Sequence, residues 1–127
     1  MRFKGWVIAV SLLTVLALGS FSLLHVGRVS EIMLGELEEV RALVADGDWA
    51  GAQARARAMH GHWHRRRTWL QLFISHRDTD AVDMTLVRLI AALDAEDPLG
   101  AALEMADADT SLRNLPVRET PALHNVL

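Results

Sequence analysis

The stretch that most constrains this chain is residues 5–27, GWVIAVSLLTVLALGSFSLLHVG, which contains no Asp, Glu, Lys or Arg. A helix of about 20 apolar residues spans a hydrocarbon core of about 30 Å. A soluble protein can hold such a helix only by surrounding it, and a chain of 127 residues has little with which to do so. Arg2 and Lys4 precede the stretch, and Glu31, Glu36, Glu38 and Glu39 follow it. Because positive charge is retained on the cytoplasmic side, the expected topology is single-pass in the cell membrane, N-terminus cytoplasmic and C-terminal domain extracytoplasmic. The rival reading is a cleaved signal peptide, with residues 6–16 as its h-region and Ala17-Leu18-Gly19 as a small-x-small cleavage site. The apolar run continues past that site through Phe21, Leu23, Leu24 and Val26, which favours an uncleaved anchor over residues 1–28.

Beyond the anchor the periodicity is helical throughout. Val29, Met33, Leu37, Val40 and Val44 recur at spacings of three and four, one face of a helix that should stop at Asp46-Gly47-Asp48. Gly47 can supply a positive φ and Asp48 can cap the next helix. The second stripe is Trp49, Ala52, Ala56, Met59, Trp63, Leu70 and Phe73, ending near His76, where Asp78, Thr79 or Asp80 offers a new cap. Val82, Leu86, Leu89 and Leu93 mark a third helix. Asp97-Pro98 opens a fourth that runs through Leu99, Leu103 and Ala106 towards Leu112 and ends before Pro116. No alternating strand pattern occurs. The expected fold is all-α: a transmembrane or signal-anchor helix continuing into an antiparallel bundle of about four helices over residues 29–115, then a tail at 116–127.

Two further patterns refine this picture. VADGDWAGA at 44–52 echoes LDAEDPLGA at 93–101, an offset of 49 that pairs Asp48 with Asp97, Gly51 with Gly100 and Ala52 with Ala101. Two copies at this period suggest paired hairpins rather than a solenoid. In addition, the second helical segment (49–75) is longer than the one before it (29–45). Unless it breaks near Gly61, residues 69–74 must lie beside residues 21–26. The first helix is then continuous from the membrane segment to about Ala45, with Phe21, Leu23 and Leu24 serving partly as bundle core.

DGDWAGA, Trp63, the segment WLQLFISH at 69–76, Asp80 and the terminal Asn125-Val126-Leu127 together resemble a bacterial family of short, uncharacterised, N-terminally membrane-anchored helical proteins, a domain of unknown function. The resemblance covers nearly the whole chain. It implies the anchored-helix architecture and brings no activity with it.

Residues that could carry chemistry have simpler explanations. The absence of cysteine excludes disulfides and thiolate metal sites. His60 and His64 share a helix face at the spacing of a zinc pair, yet no third ligand is in register, so a solvated face is the preferred account. His76, Asp78, Asp80 and Asp83 suit helix ends and caps. Arg55, Arg57, Arg65, Arg66, Arg67 and Arg77 make the second helix basic between acidic neighbours, which points to internal complementarity. With Arg2, Lys4 and Arg28 set aside, ten basic residues face sixteen acidic ones, unlike a nucleic-acid binder.

Neither a catalytic residue, a metal site nor a cofactor is assigned, and the chain is not expected to be an enzyme. Arg65, Arg66, Arg67, Trp69, Phe73, His76 and Arg77 are the candidates for contact with a partner or the membrane surface. The expected function is a membrane-tethered extracytoplasmic protein-interaction module, an accessory subunit of a membrane-protein partner. The alternative is an extracytoplasmic small-ligand or metal-binding sensor using the His-rich second helix.

Overall fold

The computed structural model describes residues 2–72 and 74–115, and every element in them is a helix. They are α1 (Arg2–Ala45), α2 (Trp49–Leu70), α3 (His76–Asp94) and α4 (Pro98–Asn114). The tail at 116–127 lies outside the described residues. Each helix packs on two neighbours, α1 on α2, α2 on α3, α3 on α4 and α4 on α1, a closed antiparallel ring. The core is built from the expected faces: Val29, Met33, Leu37 and Val40 of α1; Ala52, Ala56, Met59, Trp63 and Leu70 of α2; Val82, Leu86, Leu89 and Leu93 of α3.

α4 departs from the expectation. Leu99 and Leu103 are exposed, and the buried face is Ala101, Met105, Ala108 and Leu112. The large leucines suggested the wrong stripe because the real one alternates small and large residues, Ala101 and Ala108 with Met105 and Leu112, and the alanines carry little hydrophobic signal. The offset of 49 identifies that stripe. It superposes buried Ser30 on Thr79, Met33 on Val82, Leu37 on Leu86 and Val40 on Leu89. In the second helix of each hairpin it superposes Ala52 on Ala101, Ala56 on Met105, Met59 on Ala108 and Trp63 on Leu112. The fold is one helical hairpin used twice.

The turns repeat bond for bond. Asp46, Gly47 and Asp48 donate their backbone N–H groups to Ala42, Val44 and Leu43 at 2.9–3.0 Å; Ala95, Glu96 and Asp97 donate to Ala91, Leu93 and Ala92 at 3.0–3.1 Å. Each turn needs one left-handed residue, Gly47 at φ 75° and Glu96 at φ 52°. Glycine takes that conformation without penalty, whereas a residue with a Cβ pays roughly 1–2 kcal/mol. Glu96→Gly is therefore expected to stabilise the protein by about 1 kcal/mol, less the added freedom of its unfolded chain. Thermal unfolding of the full-length protein in detergent checks this, and a lower melting temperature for Glu96→Gly would contradict it.

α1 runs without interruption for 44 residues. It is the one helix among the described residues long and apolar enough to cross a membrane. Its contribution to the core begins at Val26. Phe21 (66% exposed) and Leu24 (74%) lie outside the core, contrary to the expectation that this stretch helps fill the bundle, and Leu23 is exposed as well. The apolar rod is therefore not shortened by packing.

α2 has no break at Gly61 but ends at Leu70, earlier than expected. Gln71 still bonds to the Arg67 carbonyl, and Leu72 N–H turns back to Trp69 O at 3.2 Å, tightening the last turn. Ser75, in extended conformation, then caps α3 by accepting from Asp78 N–H at 3.3 Å. The cap thus lies before Asp78, Thr79 and Asp80. His76 and Arg77 open α3 rather than closing α2, so they sit at the positive end of a helix dipole instead of the negative one.

Candidate functional site

The junction between the apolar rod and the bundle carries the most distinctive surface of the molecule. A groove of about 510 Å³ runs between α1 and α2. α1 contributes Phe21, His25 and Val29, and α2 contributes His62, Arg65, Arg66 and Trp69. Helical spacing places these residues in line: steps of four along α1, and steps of three and four along α2. Phe21 and His25 stack in parallel, centroids 6.2 Å apart and planes within 5°. Trp69 is 65% exposed beside them. An indole left so open is a contact surface rather than a core element.

The charges divide by position. Arg57 reaches the Asp94 carboxylate with two bonds of 2.6 and 2.8 Å, Arg55 pairs with Glu39, and Arg67 lies 3.8 and 3.9 Å from Asp80 and Asp83. α2 thus takes carboxylates from α1 on one side and α3 on the other, the expected internal complementarity. On α3, Arg88 bonds to Glu104 at 3.0 Å and Asp107 at 3.4 Å. Exposed pairs of this kind contribute about 0–1 kcal/mol each, so they specify orientation more than stability. Arg65 and Arg66 are different. Among the described residues neither pairs with a carboxylate, and Arg66 meets only the Met33 sulfur, at 3.7 Å.

Two of the histidines on α2 have carboxylate partners. His60 Nε2 lies 3.0 Å from Asp83 Oδ1, and His62 Nδ1 lies 2.9 Å from Glu36 Oε1. The His60 and His64 rings are 6.5 Å apart and tilted, and no group of three potential ligands able to hold a metal occurs among the described residues.

Of the contact residues expected from sequence, the structure gathers Arg65, Arg66 and Trp69 in the groove. Arg67 is turned towards α3. His76 and Arg77 are exposed at the start of α3, outside the groove lining, and Phe73 lies outside the described residues. Sequence reasoning did not name Phe21, His25 and His62 as contact residues, although it expected residues 69–74 beside residues 21–26, and Phe21, His25 and Trp69 do line one groove. The available signal was His25, four residues after Phe21 and the single imidazole in an otherwise apolar run.

Comparison with known proteins adds family membership. No curated protein and no solved structure matches the chain. The profile of a domain of unknown function (DUF4363) matches residues 20–126, beginning where the rod approaches the groove and including all four bundle helices. A continuous match over a helical hairpin used twice, with its α1–α2 groove inside it, makes this chain a member of the DUF4363 family.

Proposed function

We propose that the protein is a membrane-tethered extracytoplasmic interaction module, an accessory subunit that α1 holds beside a partner membrane protein. The observation that carries this reading is the continuity of α1. Residues 4–21 are exposed on all sides, charge-free from Gly5 onward, and joined without a hinge to the packed half of the same helix. From Gly5 to Leu24 such a helix is about 30 Å long, the thickness of a hydrocarbon core. A rigid connection holds the bundle at a fixed height and orientation above the bilayer, which suits a subunit that contacts a neighbour.

The bundle also offers a surface for that neighbour. Leu99 and Leu103 lie four apart on α4 and are both largely exposed, so they share one face. Exposed apolar pairs at this spacing are the usual anchors of helix contacts. The reading assigns no catalytic activity.

Topology is the first test. With Arg2 and Lys4 retained in the cytoplasm, a periplasm-type reporter fused after Leu127 is expected to be active only when exported. Activity of a cytoplasm-dependent reporter at the same site would overturn the orientation. For the interaction, purification from solubilised membranes should return one stoichiometric membrane protein, lost on Leu103→Asp with the bundle still folded. Retention of the same protein by that variant would remove α4 from the interface.

A further inference from the structure

We propose that the groove between α1 and α2 binds one anionic phospholipid, its headgroup phosphate held by Arg65 and Arg66 and its acyl chain lying along Phe21 and Trp69. The inference rests on the reading of α1 as a membrane span.

The internal repeat supplies the main argument. Moving the lining residues Val29, His62, Arg65 and Arg66 forward by 49 positions gives Asp78, Ser111, Asn114 and Leu115. Those four residues, with Ala81, line a cleft at the equivalent place between α3 and α4, and its volume is about 20 Å³ against about 510 Å³. The second hairpin has no counterpart of the rod, because α3 begins at His76 and the equivalents of Phe21 and His25 are Leu70 and Ile74. In the first hairpin the groove is large, cationic and aromatic. Where the linings do correspond, two arginines, Arg65 and Arg66, stand at the positions that the repeat fills with Asn114 and Leu115.

Charge narrows the class of ligand. Arg41, Arg55, Arg57, Arg67, Arg88 and Arg113 each pair with a carboxylate, whereas Arg28, Arg65, Arg66 and Arg77 do not among the described residues. These four lie at the end of the bundle from which the rod emerges. Glu36 on α1 leaves them free because it is engaged by His62. Guanidinium groups match phosphate with paired donors, so two of them side by side favour a phosphate over a neutral headgroup.

The order along the groove fits the orientation of a lipid. α1 and α2 run antiparallel, so Trp69 lies level with the Phe21 end while Arg65 and Arg66 lie about one turn, about 5.4 Å, nearer the bundle. The apolar end faces the membrane and the cationic end faces away. A phospholipid in the outer leaflet has the same polarity. A partner helix would have no need of two unpaired arginines.

The test uses the full-length protein in nanodiscs of phosphatidylcholine, into which lipid with brominated acyl chains is introduced as either phosphatidylglycerol or phosphatidylcholine. Quenching of Trp69 is read as the difference from Trp69→Phe, and Trp6 serves as the internal reference for the span. Brominated phosphatidylglycerol is expected to quench Trp69 at a mole fraction about thirty-fold lower than brominated phosphatidylcholine, about fivefold for each arginine. Arg65→Gln with Arg66→Gln should erase that preference, while Arg55→Gln with Arg57→Gln should keep it. The comparison of the two lipids on the unaltered chain decides the matter even if the double variant folds poorly. Equal quenching of Trp69 by both lipids, or by neither, with Trp6 still quenched, overturns the lipid site and leaves the groove to a protein occupant. Absence of Trp6 quenching overturns the membrane span, and the lipid site with it.

Discussion

Replacing Trp63 by alanine is expected to lower the stability of the bundle by about 3–5 kcal/mol, the usual loss for truncating a buried aromatic. Trp63 has no exposed surface and is the largest of the fully buried side chains. A domain of this size has about 5–15 kcal/mol in total, so the variant should melt on the order of 15–30 °C lower. The indole adds a second, sharper expectation. Its Nε1–H is buried and has no hydrogen-bond partner among the described residues. A buried donor left unpaired costs about 1–3 kcal/mol. Trp63→Phe removes that donor and keeps most of the ring, so the two effects should offset one another to within about 1 kcal/mol. His62→Ala is the control: its side chain lines the groove outside the core and makes one part-buried contact with Glu36, about 1 kcal/mol. Thermal unfolding of the three variants in detergent gives the order. Equal melting temperatures for Trp63→Ala and His62→Ala would show that the aromatic is not the centre of the core.

The position of Trp63 was legible from spacing alone, as were Met33, Leu37, Val40, Leu86, Leu89 and Leu93. Each lies on a stripe bounded by polar residues, and a stripe of that kind has only one way to face a core. The α1–α2 and α3–α4 turns were legible because Gly47, Asp48 and Asp97-Pro98 each satisfy a backbone requirement that few residues can meet, whereas the α2–α3 turn was misplaced because Ser75, the actual cap, lies before the acidic residues that drew attention. Two further features were not legible. On α4 the leucines drew attention to the exposed face, although the repeat already contained the answer: Leu103 falls opposite Ala54, which is also exposed, and Ala101 falls opposite buried Ala52. Residues 21–24 are the second case. Where no residue is charged and Ser22 is the one polar group, there is no polar face to say which side packs, and periodicity carries little information. Whether Phe21 belongs to a core or to a groove depends on how α2 approaches it. That is a tertiary fact. Helix length did place residues 69–74 beside residues 21–26, so the two walls of the groove were legible, but whether Phe21 would fill a core or line a groove was not.

Removing residues 1–19 is expected to release the bundle from the membrane completely while leaving its melting temperature almost unchanged. The two halves of α1 do different jobs. No part of the most apolar window in the helix is buried within the protein, and the first core residue of α1 is Val26. The shortened chain therefore loses no native packing, and substitutions that touch none are usually within about 0.5 kcal/mol of neutral. It does lose about 15 apolar residues whose transfer into hydrocarbon holds the chain in the bilayer. Fractionation should move the protein from the membrane pellet to the supernatant. A second truncation locates the boundary. A chain beginning at residue 30 also lacks Val26 and Val29, each worth about 1.5–3 kcal/mol when fully buried, and should melt far earlier than the chain beginning at residue 20. If the chain from residue 20 unfolded as readily as the chain from residue 30, residues 1–19 would have to be stabilising the fold rather than only tethering it. If it stayed with the membrane pellet, the span could not be the main anchor. The groove between α1 and α2 would then have to hold the bundle to the bilayer by itself.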